Sequence, residues 1–210
     1  MSHASLLPRI LTLLSLLASA ALTGTACAQQ TETIVCIRHG EKPAQEIGQI
    51  NAQGLNRALA LPDVLLKKYP HPQFIFAPGT KDKVTNRDTK IEYSYVRPLI
   101  TIEPTAIRAG LPVNADYGFK DIKGLERELL KPAYQNSMVY VAWEHRALQK
   151  MVTKLVADLG GKDTVPEWPH SDYDSIFLIT IRTVNKTRTV NFRVAHEGIQ
   201  PSTKFPSPAR

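Results

Sequence analysis

The stretch Thr33-Ile34-Val35-Cys36-Ile37-Arg38-His39-Gly40-Glu41-Lys42 begins as an unbroken apolar run and ends in charge. A short apolar run rich in β-branched residues reads as a strand buried on both faces, the kind found in the parallel sheets of α/β proteins. Such sheets take their ligands where strands empty into loops. Arg38, His39 and Gly40 therefore stand where an anion pocket would be built.

Working outward, strand and helix patterns alternate. Thr33 to Ile37 is the first strand. Asn51 then caps a helix whose Leu55, Ala58 and Leu59 share a face, and Pro62 is expected to break or restart it before Tyr69. Gln73 to Ala77 is a second strand, and the polar residues from Thr80 to Lys90 read as a loop. A helix spans Arg97 to Ala109, with Pro98 in its first turn, Gly110 past its end and a kink expected at Pro104. Leu111 to Asn114 is a short strand, Ile122 to Leu130 a helix, and Met138 to Trp143 a strongly apolar strand. The next helix, Arg146 to Leu159, puts Leu148, Met151, Val152, Leu155 and Val156 on one face and stops at Gly160-Gly161. Ser175 to Arg182 and Arg188 to Val194 form a hairpin through Asn185-Lys186. The order predicts a three-layer α/β/α sandwich with a mainly parallel sheet and an antiparallel edge hairpin.

Residues 1–28 carry Arg9, an apolar stretch from Ile10 to Leu22 and then Ala26-Cys27-Ala28, the small-x-small pattern of a signal peptide cleaved before Gln29. The apolar stretch is too short for a membrane span, and lipid modification of Cys27 is the competing reading. The mature chain is thus expected in the periplasm or outside the cell, with no span. The full chain has net charge +7, and losing the single charge of Arg9 leaves +6, which favours an anionic partner. Cys36 is then the sole cysteine, so no intrachain disulfide forms and the residue reads as a small apolar one. Residues 29–199 make one domain, and 200–210, with three prolines and two serines, read as a flexible tail.

A second strand ends in Glu144-His145, and parallel strands deliver these ends to the same rim as Arg38-His39. Arg38-His39-Gly40 after a hydrophobic strand, Arg97 at a helix start and the strand-ending His145 together resemble the histidine phosphatase (phosphoglycerate mutase-like) superfamily, in its compact branch. The resemblance spans Thr33 to about Ile181. It implies His39 as a nucleophile that takes a phosphoryl group, with Arg38, Arg97, His145 and Gly40 as the phosphate cradle. It also implies that no metal or other cofactor is needed, because arginines do the charge stabilisation.

The chemistry agrees with the residue types. A neutral imidazole attacks phosphorus to give a phosphohistidine that water then cleaves. Planar arginine forks fit the three phosphoryl oxygens. A proton donor for the leaving group is less plain: Glu144 is the first candidate, with Asp121 and Asp116 behind it, and no residue matches the glutamate used by mutase-like members. The expected activity is a metal-independent phosphatase acting on a small phosphomonoester. An exported location argues against a mutase. The alternative is an anion-binding protein on the same fold with little or no turnover.

Other features are ordinary. Glu41 and Lys42 either orient substrate or are solvated charges. His71, His170 and His196 are scattered without ligand spacing, so no metal site is expected. Lys81 to Lys90 lacks interleaved aromatics, which argues against nucleic acid. Trp143 and Trp168 read as packing residues.

Overall fold

A computed structural model describes residues 29–206; the expected leader, 1–28, and the last four residues lie outside the described part. The elements are β1 (Gln30–Arg38), α1 (Ala52–Lys68), β2 (Phe74–Phe76), β3 (Lys83–Thr85), β4 (Glu92–Ser94), α2 (Arg97–Ala109), β5 (Val113–Asn114), α3 (Ile122–Leu129), β6 (Met138–Trp143), α4 (His145–Asp158), β7 (Ser175–Val184) and β8 (Thr187–His196). Six strands form one sheet in the order β5-β2-β6-β1-β7-β8. β5, β2, β6 and β1 run parallel, β7 is antiparallel to β1, and β8 is antiparallel to β7. The expected three-layer sandwich with an antiparallel edge is what forms.

Side-chain alternation along the central strands builds one core on each face. Ile34 and Cys36 of β1 join Val139, Val141 and Trp143 of β6 beneath Leu125, Leu129, Leu148, Val152 and Leu155 of α3 and α4. Val35 and Ile37 join Tyr140 and Ala142 beneath Leu61, Leu65, Ile102 and Ala106 of α1 and α2. Cys36 and Trp143 are fully buried and Trp168 nearly so, and burial pushes the Cys36 thiol up, away from reactivity.

Three local expectations need correction. α1 does not stop at Pro62 but runs through it, with Asn51 as cap accepting from Gly54 N. An interior proline costs about 3 kcal/mol, and burying Leu61 and Leu65 completely on either side of it returns about 2–3 kcal/mol each. Leu59 is 48% exposed, because the buried face follows Gly54, Ala58, Leu61 and Leu65 and leaves Leu59 one position off it. The Thr80–Lys90 segment holds β3, which pairs with β4; one valine between two polar residues is too short a stretch to read as a strand. Pro104 lies inside α2, which continues past it.

One buried carboxyl in β1 has no compensating partner. Glu32 is almost wholly buried and its Oε1 has no hydrogen bond, so burial pushes its pKa from 4.5 up to about 8, opposed by Arg188. The native state then holds this proton more tightly than the unfolded chain does. Stability consequently falls as pH rises from about 4.5 to 8. Glu32→Gln is expected to stabilise the protein by up to about 5 kcal/mol at pH 9, at about 1.4 kcal/mol per shifted pKa unit, and by little at pH 5. Urea unfolding at both pH values checks this; an equal difference at both would refute it.

Candidate active site

The register that pairs Arg38 of β1 with Trp143 of β6 sets His39 beside the end of β6, and His39 N donates to Trp143 O at 3.1 Å. α2 starts at the same rim. There Thr101 Oγ1 accepts from Gly40 N at 2.9 Å and donates to Arg97 O at 2.8 Å, tying the loop after His39 to the first turn that carries Arg97. Gly40 is required by close approach: a Cβ on it would come within 2.9 Å of Gly54 Cα and O at the start of α1. Next along, Arg57 bridges the Glu41 carboxylate (3.0 and 2.8 Å) and Glu197 beyond β8. Glu41 therefore anchors the loop and does not face a substrate. Lys42 pairs with Glu46, whose Oε2 also lies 3.2 Å from Arg97 Nη1.

Arg38, His39, Arg97 and His145 are all at least 96% buried. His39 Nδ1 lies 2.7 Å from Gly40 O. A carbonyl only accepts, so Nδ1 carries the proton and Nε2 keeps its lone pair. Burial, and then the nearby charges of Arg97, Arg38 and His145, push the His39 pKa down to about 3; the ring is neutral at any ordinary pH. Tyr95 and Tyr173 pack edge-on against its ring at 6.1 and 6.2 Å.

Arg38 is held by a segment that sequence reasoning did not connect to it. Its Nη1 donates to His170 O at 2.7 Å and Asp172 O at 2.8 Å, with Pro169 O at 3.4 Å, and its guanidinium lies 3.8 Å from the centre of the Tyr173 ring. Its Nε and Nη2 are buried without partners, as are Arg97 Nε and His145 Nε2. Buried donors in native proteins are nearly always paired. These buried nitrogens of Arg38, Arg97 and His145, at the rim that carries His39, make an arrangement suited to the oxygens of an anion.

Glu144 does not have the character expected of a proton donor. It is the cap of α4 and accepts from Ala147 N at 2.8 Å. Its Oε1 lies 2.9 Å from His145 Nδ1, off the N–H direction, so the contact is mainly electrostatic. Burial tends to raise its pKa, but His145 and the backbone N–H groups of Ala147 and Arg146 outweigh it and hold the carboxyl at about 2. α4 begins at His145 because Glu144 takes the capping position. Asp121 caps α3 through Gly124 N, and both it and Asp116 are exposed.

No family model matches the sequence, and no curated protein matches it. The structure does have relatives. A mycobacterial glucosyl-3-phosphoglycerate phosphatase, solved with inorganic phosphate, superposes with a TM-score of 0.51 at 15% identity, covering 80% of this chain and 100% of that one. The chain has the phosphoglycerate mutase-like, histidine phosphatase fold. A phosphoglycerate mutase from Plasmodium falciparum superposes with a TM-score of 0.50 at 14% identity, covering 86% of this chain and 98% of that one. In this histidine phosphatase fold, the strand ends carrying Arg38-His39 and Glu144-His145 share the rim to which α2 brings Arg97. No helix among the described residues is long and apolar enough to cross a membrane.

Sequence reasoning missed His170, Tyr173 and Glu46. His170 stands with its ring 5.4 Å from that of His145. In the sequence it is one of several scattered histidines, and its local signal is the Trp168-Pro169-His170 punctuation of an irregular stretch.

Proposed function

We propose that the protein is an exported phosphatase that hydrolyses a small phosphomonoester through a covalent phosphohistidine on His39, without a metal ion. The observation that carries this reading is the set of unpartnered buried donors, Arg38 Nε and Nη2, Arg97 Nε and His145 Nε2, around a neutral His39. They bind the phosphoryl oxygens and stabilise the charge that shifts onto them as the P–O bond breaks. His39 Nε2 attacks phosphorus, the leaving oxygen departs with the bonding pair, and water later cleaves the N–P bond. Glu144 caps the α4 terminus through Ala147 N and lies 2.9 Å from His145 Nδ1. The histidine phosphatase fold supports the reaction class, and the leader-like residues 1–28 support export.

The test is hydrolysis of 4-nitrophenyl phosphate by the protein lacking residues 1–28, with vanadate as inhibitor. Turnover blocked competitively by vanadate is expected. The ionised Glu144 favours a second reading, an anion-binding protein with little turnover. Tight phosphate binding with no hydrolysis of any phosphomonoester would select it.

A further inference from the structure

We propose that His170 is the catalytic proton donor to the leaving group, standing on the rim of the phosphate cradle with its ring 5.4 Å from His145 and its carbonyl held by Arg38. The inference rests on the phosphohistidine reading and supplies the group that reading lacks. The carboxylates around the cradle have no proton to give. Glu144 is held ionised by His145 and the α4 N-terminus, and Glu46 is held ionised by Lys42 and Arg97. Asp121 is committed to capping α3.

His170 differs from these in three respects. Its ring makes no hydrogen bond among the described residues, while its backbone is fixed through Arg38 Nη1 at 2.7 Å. The ring is solvent-exposed, and it lines a groove of about 270 Å³ with Lys42, Glu46 and Arg87. Glu46 also touches Arg97, and His170 lies against His145, so this groove abuts the cradle on the side open to the rest of a substrate. The charged and titratable groups sharing a groove or a ring contact with His170 are His145, Arg146 and Lys150 from α4, Lys42 and Glu46 from the loop after β1, Arg87 and Asp88 from the loop after β3, and Glu167 from its own segment, and Arg38 holds its carbonyl. Partial burial and then the positive charges of Arg38, His145, Lys42 and Arg146 hold its pKa below the usual histidine range in the unliganded protein. A phosphoryl dianion seated on Arg38 and His145 offsets that charge and shifts His170 back toward the protonated form that donation requires.

The step balances as follows. The His39 Nε2 lone pair forms the N–P bond, and the P–O bonding pair goes to the leaving oxygen, which takes the proton from the His170 imidazolium. In the second half neutral His170 accepts a proton from the attacking water, and the N–P pair returns to His39.

Leaving-group dependence tests this. The full set is kcat/KM for 4-nitrophenyl phosphate, whose nitrophenolate departs without a proton, and for glycerol phosphate, whose alkoxide needs one, on wild type and His170→Gln. His170→Gln is expected to lose about 10²-fold or more on glycerol phosphate and less than about fivefold on nitrophenyl phosphate. Vanadate affinity is expected to fall by less than about tenfold, the loss of His170's electrostatic contribution alone, because the Arg38 contact is to the backbone carbonyl and survives the substitution. An equal fall on both substrates, or no fall on either, overturns the assignment. If wild type hydrolyses neither, the phosphatase reading itself fails and takes this proposal with it.

Discussion

His39→Asn is expected to lower phosphomonoester turnover by about 10⁴-fold or more, the scale on which removing an enzyme's nucleophile acts. Asparagine is the informative replacement. Its side-chain nitrogen takes the place of Nδ1 and keeps a donor toward Gly40 O, while the attacking Nε2 is gone. The ring's aromatic contacts are edge-on, with Tyr95 and Tyr173, and the hydrogen bond to Gly40 O is kept, so the fold is expected to survive. Vanadate or phosphate binding is expected to persist, since the donors of Arg38, Arg97 and His145 remain. Loss of turnover with retained binding, measured by steady-state kinetics and calorimetry, is the expected pattern. Turnover within tenfold of wild type would rule out His39 as nucleophile.

Arg38→Met carries the second large effect, and it acts in two places. In the cradle it removes two inward-facing donors, and loss of one such donor typically costs about 3 kcal/mol of transition-state stabilisation. We therefore expect kcat/KM to fall at least about 10³-fold. Behind the cradle it removes the donor shared by the carbonyls of Pro169, His170 and Asp172 and the cation over Tyr173. Leaving such acceptors short of a partner costs about 2 kcal/mol, with a matching drop in Tm and faster proteolytic cutting between residues 165 and 174. Arg38→Lys restores charge without the fork and is expected to recover little of either effect. A variant with wild-type Tm and protease resistance would show that Arg38 does not hold this segment.

The sequence disclosed the cradle because regular structure delivers it. Arg38-His39 and Glu144-His145 end apolar strands, Arg97 begins a helix marked by Pro98 and Gly110, and parallel strands must bring their ends to one rim. The segment behind Arg38 was illegible for the opposite reason. His170, Asp172 and Tyr173 lie in irregular chain more than 130 residues from Arg38, and the contacts run to backbone carbonyls, which no side-chain pattern encodes. Glu144 was legible as a residue but not in its chemistry: whether a carboxyl beside a histidine gives a proton or caps a helix depends on where α4 starts, a matter of one residue. Pro62 shows the same limit within the fold. Its local cost favours a break, and the buried leucines around it decide otherwise.

The central claim is the bond between phosphorus and His39. Rapid quench of the protein with a ³²P-labelled aryl phosphate, followed by peptide mapping, measures it directly. The prediction is label that survives base, is lost in acid and maps to His39, forming no slower than the turnover rate. Turnover without any such label, or label on another residue, would contradict it.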